Sequence, residues 1–367
     1  MQLPSADIHP EILAAWGFSA NDIRPISVGL INATVRVQRG ASSYILQRLH
    51  PLFTAEVNAD IERITEHLAQ KGMLTPRLVR TEAGERFFLD EEKRVWRALT
   101  YIEGRCLTEF RTASLAHAAG TLAGRFATAT RDLVHTFAFT RPGVHDTQKH
   151  LHALETACAS GAVFDEAEEA KRLAEAIHTL STSLPSLATL PTRIVHGDLK
   201  ASNLLFDHAR DEALCLVDLD TMQHSNVAIE MGDALRSWTN PKGENHARGE
   251  VDLALFEAAL TGYLSETRGW LSEDEKLGLA HGLEVIALEL SARFCKDIFE
   301  DRYFGWDATR YASRRAHNLI RAQSQISLAQ SARAQRAELE ALAWRLGEEH
   351  PRSLTEAKLF RGDRDPV

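Results

Sequence analysis

Three oxygen-bearing side chains stand close together between residues 194 and 221. Ile194-Val195-His196-Gly197-Asp198-Leu199-Lys200-Ala201-Ser202-Asn203 runs from a β-branched pair into a polar loop, and Leu204-Leu205-Phe206 leads out as an apolar strand. A second strand, Leu214-Cys215-Leu216-Val217, ends at Asp218-Leu219-Asp220-Thr221. A loop carboxylate can orient an attacking hydroxyl and take its proton. An amide oxygen five residues on and a strand-terminal carboxylate are hard ligands for Mg²⁺, which completes its octahedron with water and phosphate oxygens. The set points to phosphoryl transfer, with Asp198 as base and Asn203 and Asp218 on the metal. Lys200, two residues beyond Asp198, can reach a γ-phosphate and offset charge in the transition state. Asp220 can bind metal or brace the loop, and bracing is the expectation. Asp and Asn at this spacing alone are ordinary turn residues; His196-Gly197 before them and Asp218 after them make the combination informative.

The flanking sequence must position this loop. Residues 26–37 and 43–49 alternate apolar and polar around the turn Arg39-Gly40-Ala41. Val57, Ile61, Ile64 and Leu68 then mark one face of a helix stopped by Lys71-Gly72. Segments 78–80, 87–89 and 94–101 read as three more strands. At Glu103-Gly104-Arg105 the composition shifts, and helices are expected over 112–130, 147–159, 165–184, 251–267, 273–299 and 309–346. Short strands over 193–195, 204–206 and 214–218 carry the polar loop. The outline is an α+β chain in two lobes: 1–103, an antiparallel sheet with one helix, and 104–367, mainly helical. Residues 358–367 read as a frayed tail. There is no internal repeat.

The 367 residues are 44% hydrophobic and 25% charged, the balance of a globular protein large enough for two domains. A net charge of −9 removes the electrostatic argument for nucleic acid or an anionic membrane as partner. No apolar run is long enough to span a bilayer. The start, Met1-Gln2-Leu3-Pro4, lacks a basic then apolar leader, so a cytoplasmic location is expected. Cys106, Cys158, Cys215 and Cys295 are widely spaced, which suits four free thiols and argues against a metal site built from them.

His196-Gly197-Asp198, Asn203 and Asp218 resemble the aminoglycoside phosphotransferase branch of the protein-kinase-like fold. Further segments in family order narrow the resemblance to the bacterial N-acetylhexosamine 1-kinases. They are Gly29-Leu30-Ile31-Asn32-Ala33-Thr34, Tyr44-Ile45-Leu46-Gln47-Arg48-Leu49, the run Trp96-Arg97-Ala98-Leu99-Thr100-Tyr101-Ile102-Glu103-Gly104, Val144-His145-Asp146-Thr147, Gly232-Asp233-Ala234-Leu235-Arg236, Ala292-Arg293-Phe294, Tyr303-Phe304 and His317-Asn318-Leu319. The chain departs from the family's usual pattern at Gly197, Leu199, Leu30 and Glu230-Met231, all near the substrates.

The resemblance implies ATP bound with Mg²⁺ between the lobes and a sugar acceptor phosphorylated at its anomeric hydroxyl. It implies a protein that binds these small molecules as a monomer or weak homodimer, with neither nucleic acid nor membrane as partner. Gly29, Asn32 and Thr34 would cover the phosphates, and the backbone of Thr100, Tyr101 and Ile102 would form the hinge that pairs with adenine. Gln47 stands where related kinases place a lysine; it can hydrogen-bond phosphate without charge, and Arg48 takes the role if the register slips by one. His145, Arg293 and Tyr303 are the candidate acceptor contacts beside Asp198, with Trp306 behind them. By spacing, Asp233 with Arg236 and Arg293 with Asp297 are expected as helix ion pairs. Two rival readings stay open: a kinase of another small alcohol (an aminoglycoside, choline or homoserine), and a nucleotide-binding scaffold without turnover.

Overall fold

The computed structural model describes residues 8–24, 32–160 and 163–348. Six strands form one antiparallel sheet: β1 (Ile23–Arg24), β2 (Ala33–Arg39), β3 (Ser42–Arg48), β4 (Leu78–Val79), β5 (Phe88–Leu89) and β6 (Val95–Thr100). Their order is β1-β2-β3-β6-β4, with β5 also on β6. Alternation gives this sheet two different faces. Ala33, Val35, Val37, Leu46, Trp96 and Ala98 pack outward against Ile12, Leu13, Trp16 and Phe18, the first two on helix α1 (Pro10–Ala14). The inner face carries Thr34, Ile45, Gln47, Arg97 and Leu99, which line a cleft. Helix α2 (Val57–Gln70) buries Val57, Ile61, Ile64 and Leu68, the stripe its period requires, and ends before Gly72 at φ +78°.

Beyond residue 104 the chain is helical: α3 (Ala113–Thr130), α4 (Thr147–Cys158), α5 (Ala167–Ser181), α6 (Val227–Trp238), α7 (Leu253–Thr267), α8 (Glu273–Glu300), α9 (Arg314–Ala334) and α10 (Arg336–Glu348). Short strands interrupt it. β7 (Arg105–Cys106), β9 (Leu204–Phe206) and β10 (Ala213–Leu216) form one ladder, and β8 (Arg193–Val195) pairs with β11 (Gln223–Ser225). Helix α8 is the spine. It opens with a capping box between Ser272 and Glu275 and contacts α4, α5, α6, α9 and α10. Helix α6 crosses it at a glycine pair: a Cβ on Gly282 would lie 1.9 Å from the Ala228 carbonyl, and one on Gly232 would lie 2.4 Å from the Gly282 carbonyl. That close approach sets the acidic residues of α6 beside those of α8.

Three expectations need correction. Helices α1 and α6 are absent from the periodicity reading. Residues 10–14 are short, and α6 turns its polar stripe, Glu230, Asp233 and Arg236, inward rather than to solvent. The single helix expected over 309–346 begins at Arg314, where the Ser313 side chain accepts from the Ala316 amide, and breaks between Ala334 and Arg336. Gly29 and the tail lie outside the described residues. No helix is long and apolar enough to cross a membrane among the described residues, and all four cysteines are free thiols.

Candidate active site

The polar loop between β8 and β9 is held by its backbone. Glu230 on α6 accepts from the amides of His196 (2.8 Å) and Gly197 (2.9 Å), and Thr221 Oγ1 donates to the His196 carbonyl. Gly197 sits at φ +81°, and a Cβ there would meet the Thr221 carbonyl at 2.3 Å, so a larger residue would strain the turn. Burial pushes the Glu230 carboxyl up to about 7, even though the two amides oppose the shift. His196 is buried, with Nε2 2.9 Å from the Val217 carbonyl, which ties the loop to the end of β10.

This frame brings Asp198, Lys200 and Asn203 into contact. Lys200 Nζ donates to Asp198 Oδ2 at 2.5 Å. Asn203 Nδ2 donates to the Asp198 carbonyl at 2.8 Å and to Asp198 Oδ2 at 2.9 Å. Burial alone would raise the Asp198 carboxyl; the Lys200 ammonium outweighs it and holds the group below its ordinary value. Asp198 is therefore an ionised acceptor at neutral pH. With Nδ2 committed, Asn203 presents its amide oxygen elsewhere.

Asp218 follows β10 in the left-handed region, at φ 63° and ψ 54°. Its carboxylate accepts no hydrogen bond among the described residues. Burial, then the neighbouring charges of Asp220 and Asp198, push it up to about 7. An undonated carboxylate crowded by like charge, beside a free amide oxygen, is the environment a hard divalent cation relieves. Asn203 and Asp218 thus fit a divalent ion. No group of three or more His, Cys, Asp or Glu residues suited to a metal occurs among the described residues.

Residues of both parts of the chain line the adjoining cleft, about 160 Å³ in volume: Asn32, Thr34, Gln47, Arg97 and the 99–102 segment from one side, Ser202, Asn203, Leu205 and Val217 to Leu219 from the other. Its walls are otherwise apolar (Ile45, Ile61, Leu99, Leu205, Val217), as a flat base requires. The register leaves Gln47 on this face, opposite Thr34 and Arg97; Arg48 pairs with Trp96 and lies over its ring, out of phase. Of the three hinge residues, Thr100 and Tyr101 spend their amides on the carbonyls of Arg77 and Ser43. Those two N–H groups are not open to a base, whereas the Ile102 amide has no acceptor among the described residues. Asp220 braces rather than facing a metal: it takes a bidentate ion pair from Arg97 and a bond from Asn32 Nδ2 at 2.7 Å.

On the other side of Asp198 lies a second polar cluster. Glu289 on α8 is buried and meets His145 Nδ1 at 3.0 Å, Thr147 Oγ1 at 2.8 Å and Arg293 Nη1 at 3.9 Å. Burial alone would lower the His145 imidazole, but Glu289 outweighs it and raises the ring above its ordinary value. Asp233 Oδ1 accepts from Arg236 Nε at 2.9 Å, the pair the spacing predicts, while its Oδ2 is buried without a donor among the described residues. The Arg236 charge reaches Asp198, and the Asp233 charge reaches both Lys200 and His145, so the two clusters form one electrostatic unit.

Arg293 does not pair with Asp297. That carboxylate caps the chain leaving α8, accepting from the amides of residues 302–304 and from Asn318 Nδ2. Tyr303 is 53% exposed; its hydroxyl accepts from Arg141 Nη2 at 3.3 Å, and its ring packs on Phe304, over which the Arg293 guanidinium lies. Trp306 is exposed as well. Sequence reasoning missed Glu289 and Arg97. Glu289 stands one helical turn before Arg293, and the alternation of Trp96-Arg97-Ala98-Leu99 could have placed Arg97 inward.

An antiparallel sheet followed by a helical second part, with a cleft lined by both, is the architecture of a protein-kinase-like fold. The family model described as "Phosphotransferase enzyme family" matches residues 22–270, and the chain belongs to that family. Among solved structures it is similar to a microcompartment-associated aminopropanol kinase (17% identity, 89% of this chain and 97% of that one, TM-score 0.62). It is similar to an amicoumacin kinase in complex with AMP-PNP, Ca²⁺ and Ami (16%, 86% and 91%, TM-score 0.60). It is also similar to an aminoglycoside phosphotransferase from Alicyclobacillus acidocaldarius (15%, 94% and 98%, TM-score 0.61). At these identities the shared property is the fold. Family membership makes the chain a kinase that uses ATP with a divalent cation.

Proposed function

We propose that this kinase moves the γ-phosphate of Mg-ATP to the anomeric hydroxyl of an N-acetylhexosamine, giving a sugar 1-phosphate. The observation that carries phosphoryl transfer is Asp198, kept ionised by Lys200 and oriented by Asn203, near the Asp218 carboxylate, which accepts no hydrogen bond among the described residues. In this reading the acceptor hydroxyl donates to Asp198 and attacks the γ-phosphorus. Its proton passes to the carboxylate as the bond to the ADP oxygen breaks. Lys200 offsets charge on the transferred group. Asn203 and Asp218 would hold Mg²⁺, which neutralises charge on the phosphate oxygens when bound. Asn32, Thr34, Gln47 and the Ile102 amide serve the nucleotide, with residues 1–103 as its lobe and 104–367 as the catalytic and acceptor lobe.

The sugar reading rests on charge balance. A cationic acceptor needs an uncompensated carboxylate or an aromatic cage. Here Glu289 is met by His145 and Arg293, and Asp233 by Arg236. What is left over suits neutral hydroxyls: Asp233 Oδ2 as an acceptor, and His145 and Arg293 as donors. An ADP-release screen over N-acetylglucosamine, N-acetylgalactosamine, kanamycin, choline and homoserine, followed by phosphorus NMR of the product, tests it. Hexosamine turnover and no reaction with the 1-O-methyl glycoside are expected. Phosphorylation of the methyl glycoside removes the anomeric assignment, and turnover of choline or kanamycin alone selects the rival.

A further inference from the structure

Thr34, Gln47 and Arg97 form one row across β2, β3 and β6 on the face that lines the cleft. The middle position carries an uncharged amide, and the charge stands one strand over, on a guanidinium that is 1% exposed. Nε and Nη2 of Arg97 donate to Gln47 Oε1 at 3.0 and 2.8 Å, while Nη1 and Nη2 donate to Asp220 Oδ1 and Oδ2 at 2.5 and 2.9 Å. Gln47 Nε2 donates onward to Thr34 Oγ1 at 3.3 Å. Arginine carries five N–H donors. These bonds use four, and the second N–H of Nη1 has no acceptor among the described residues.

A buried ion pair is poor evidence for stability by itself, because desolvation offsets most of its attraction. A nucleotide polyphosphate, in contrast, requires positive charge, and Arg97 is the one cation among the described residues that line the cleft. The neutral Gln47 has a physical reason as well. A lysine there would set two buried cations against each other, whereas a glutamine carbonyl accepts twice from the guanidinium.

We propose that Arg97 is the cation the sheet offers to the nucleotide: Gln47 and Asp220 fix its plane, and its remaining Nη1 N–H donates to the polyphosphate. The role of a β3 side chain has moved to β6 within the same cross-strand row. Because Asp220 lies two residues after Asp218, the same guanidinium ties the phosphate end of the cleft to the strand terminus that bears the metal carboxylate.

The test compares ADP with adenosine by calorimetry on the full chain in EDTA, so that no divalent ion shares the phosphate charge. The proposal rests on the nucleotide reading of the cleft; wild type that binds neither ligand removes that reading and the proposal with it. D220N keeps the guanidinium and should hold the ratio of ADP to adenosine affinity within about threefold. R97Q/D220N removes the cation without stranding a buried carboxylate; ADP affinity should fall about 10-fold or more, with adenosine within about twofold. Adding Q47K to R97Q/D220N returns a cation to the same row and should recover most of the loss. Unchanged ADP binding in R97Q/D220N, or equal losses for ADP and adenosine, would overturn the proposal. So would a drop in the ratio already complete in D220N, or no recovery with Q47K.

Discussion

On the nucleotide side of the cleft one guanidinium meets one carboxylate, and neutral amides complete both: Gln47 for Arg97, Asn32 for Asp220. On the acceptor side Glu289 and Asp233 are each matched by a cation, but the matching is uneven. Glu289 takes three partners at 2.8 to 3.9 Å, whereas Asp233 keeps one oxygen without a donor. Desolvated charge is tolerated on both sides because it is paired, and a group left alone costs roughly 1–3 kcal/mol or more. The difference teaches where selectivity resides. On the proposed nucleotide side the unspent groups are an Arg97 N–H, the Ile102 amide and the Asp218 carboxylate, which suit phosphate, a base and a cation; on the proposed acceptor side the undonated Asp233 oxygen suits a hydroxyl. Helix crossing at Gly232 and Gly282 is what places the acceptor-side groups, since it brings α6 and α8 into backbone contact.

The sharpest break between the sides is at the group between them. Asp198→Asn keeps size and most hydrogen bonding but cannot take a proton; kcat should fall by roughly 10²–10⁴, with nucleotide affinity little changed. Wild-type kcat in this variant would rule out Asp198 as base. Next, Asp218→Ala removes the anionic half of the proposed metal site. Turnover should fall by about 100-fold or more, and Mg²⁺ should no longer tighten ADP binding in calorimetry. A normal Mg²⁺ titration of that variant would move the metal elsewhere. Arg293→Leu leaves Glu289 bonded to His145 and Thr147 and removes a cationic donor on the acceptor side alone. Here kcat/KM for the acceptor should drop about 10-fold or more while KM for ATP holds. A parallel rise in KM for ATP would mean that the two sides are not separable.

The smallest effect concerns the brace beneath both sides. Burial raises Glu230 from its ordinary 4.5 to about 7 in the folded chain. A raised folded value means that its protonated form is favoured by folding. Its contribution to stability is therefore complete below the unfolded value and is lost as pH rises through about 7. Thermal midpoints measured from about pH 5 to pH 8 should fall more steeply for wild type than for Glu230→Gln, which keeps one acceptor for the loop amides and does not titrate. Equal slopes would show that Glu230 is already ionised at pH 5.

Much of this was legible along the chain. The stripe Val57, Ile61, Ile64, Leu68 gave α2, and alternation gave β2, β3 and β6, because a local period fixes which side of an element is buried; whether Gln47 or Arg48 faces the cleft was decided by the strand register. Asp198, Lys200 and Asn203 could be read as one unit since they share a short loop, and Asp218 because it ends the adjoining strand. Helix α6 escaped as a whole element, although Glu230, Asp233 and Arg236 have helical spacing, because that polar stripe is buried in the site instead of facing solvent.

Sequence by itself determined the chemistry on offer, an ionisable loop carboxylate with amide and carboxylate oxygens at kinase-like spacing, and the α+β order of elements. Tertiary structure alone decided which charges meet. Arg97 and Asp220 are 123 positions apart, His145 and Glu289 144, and Asp297 turned from Arg293 to the chain after α8. Local periodicity carries no information on such pairings. They are fixed by strand register and helix crossing, and only there does a buried charge find the partner that makes its burial tolerable.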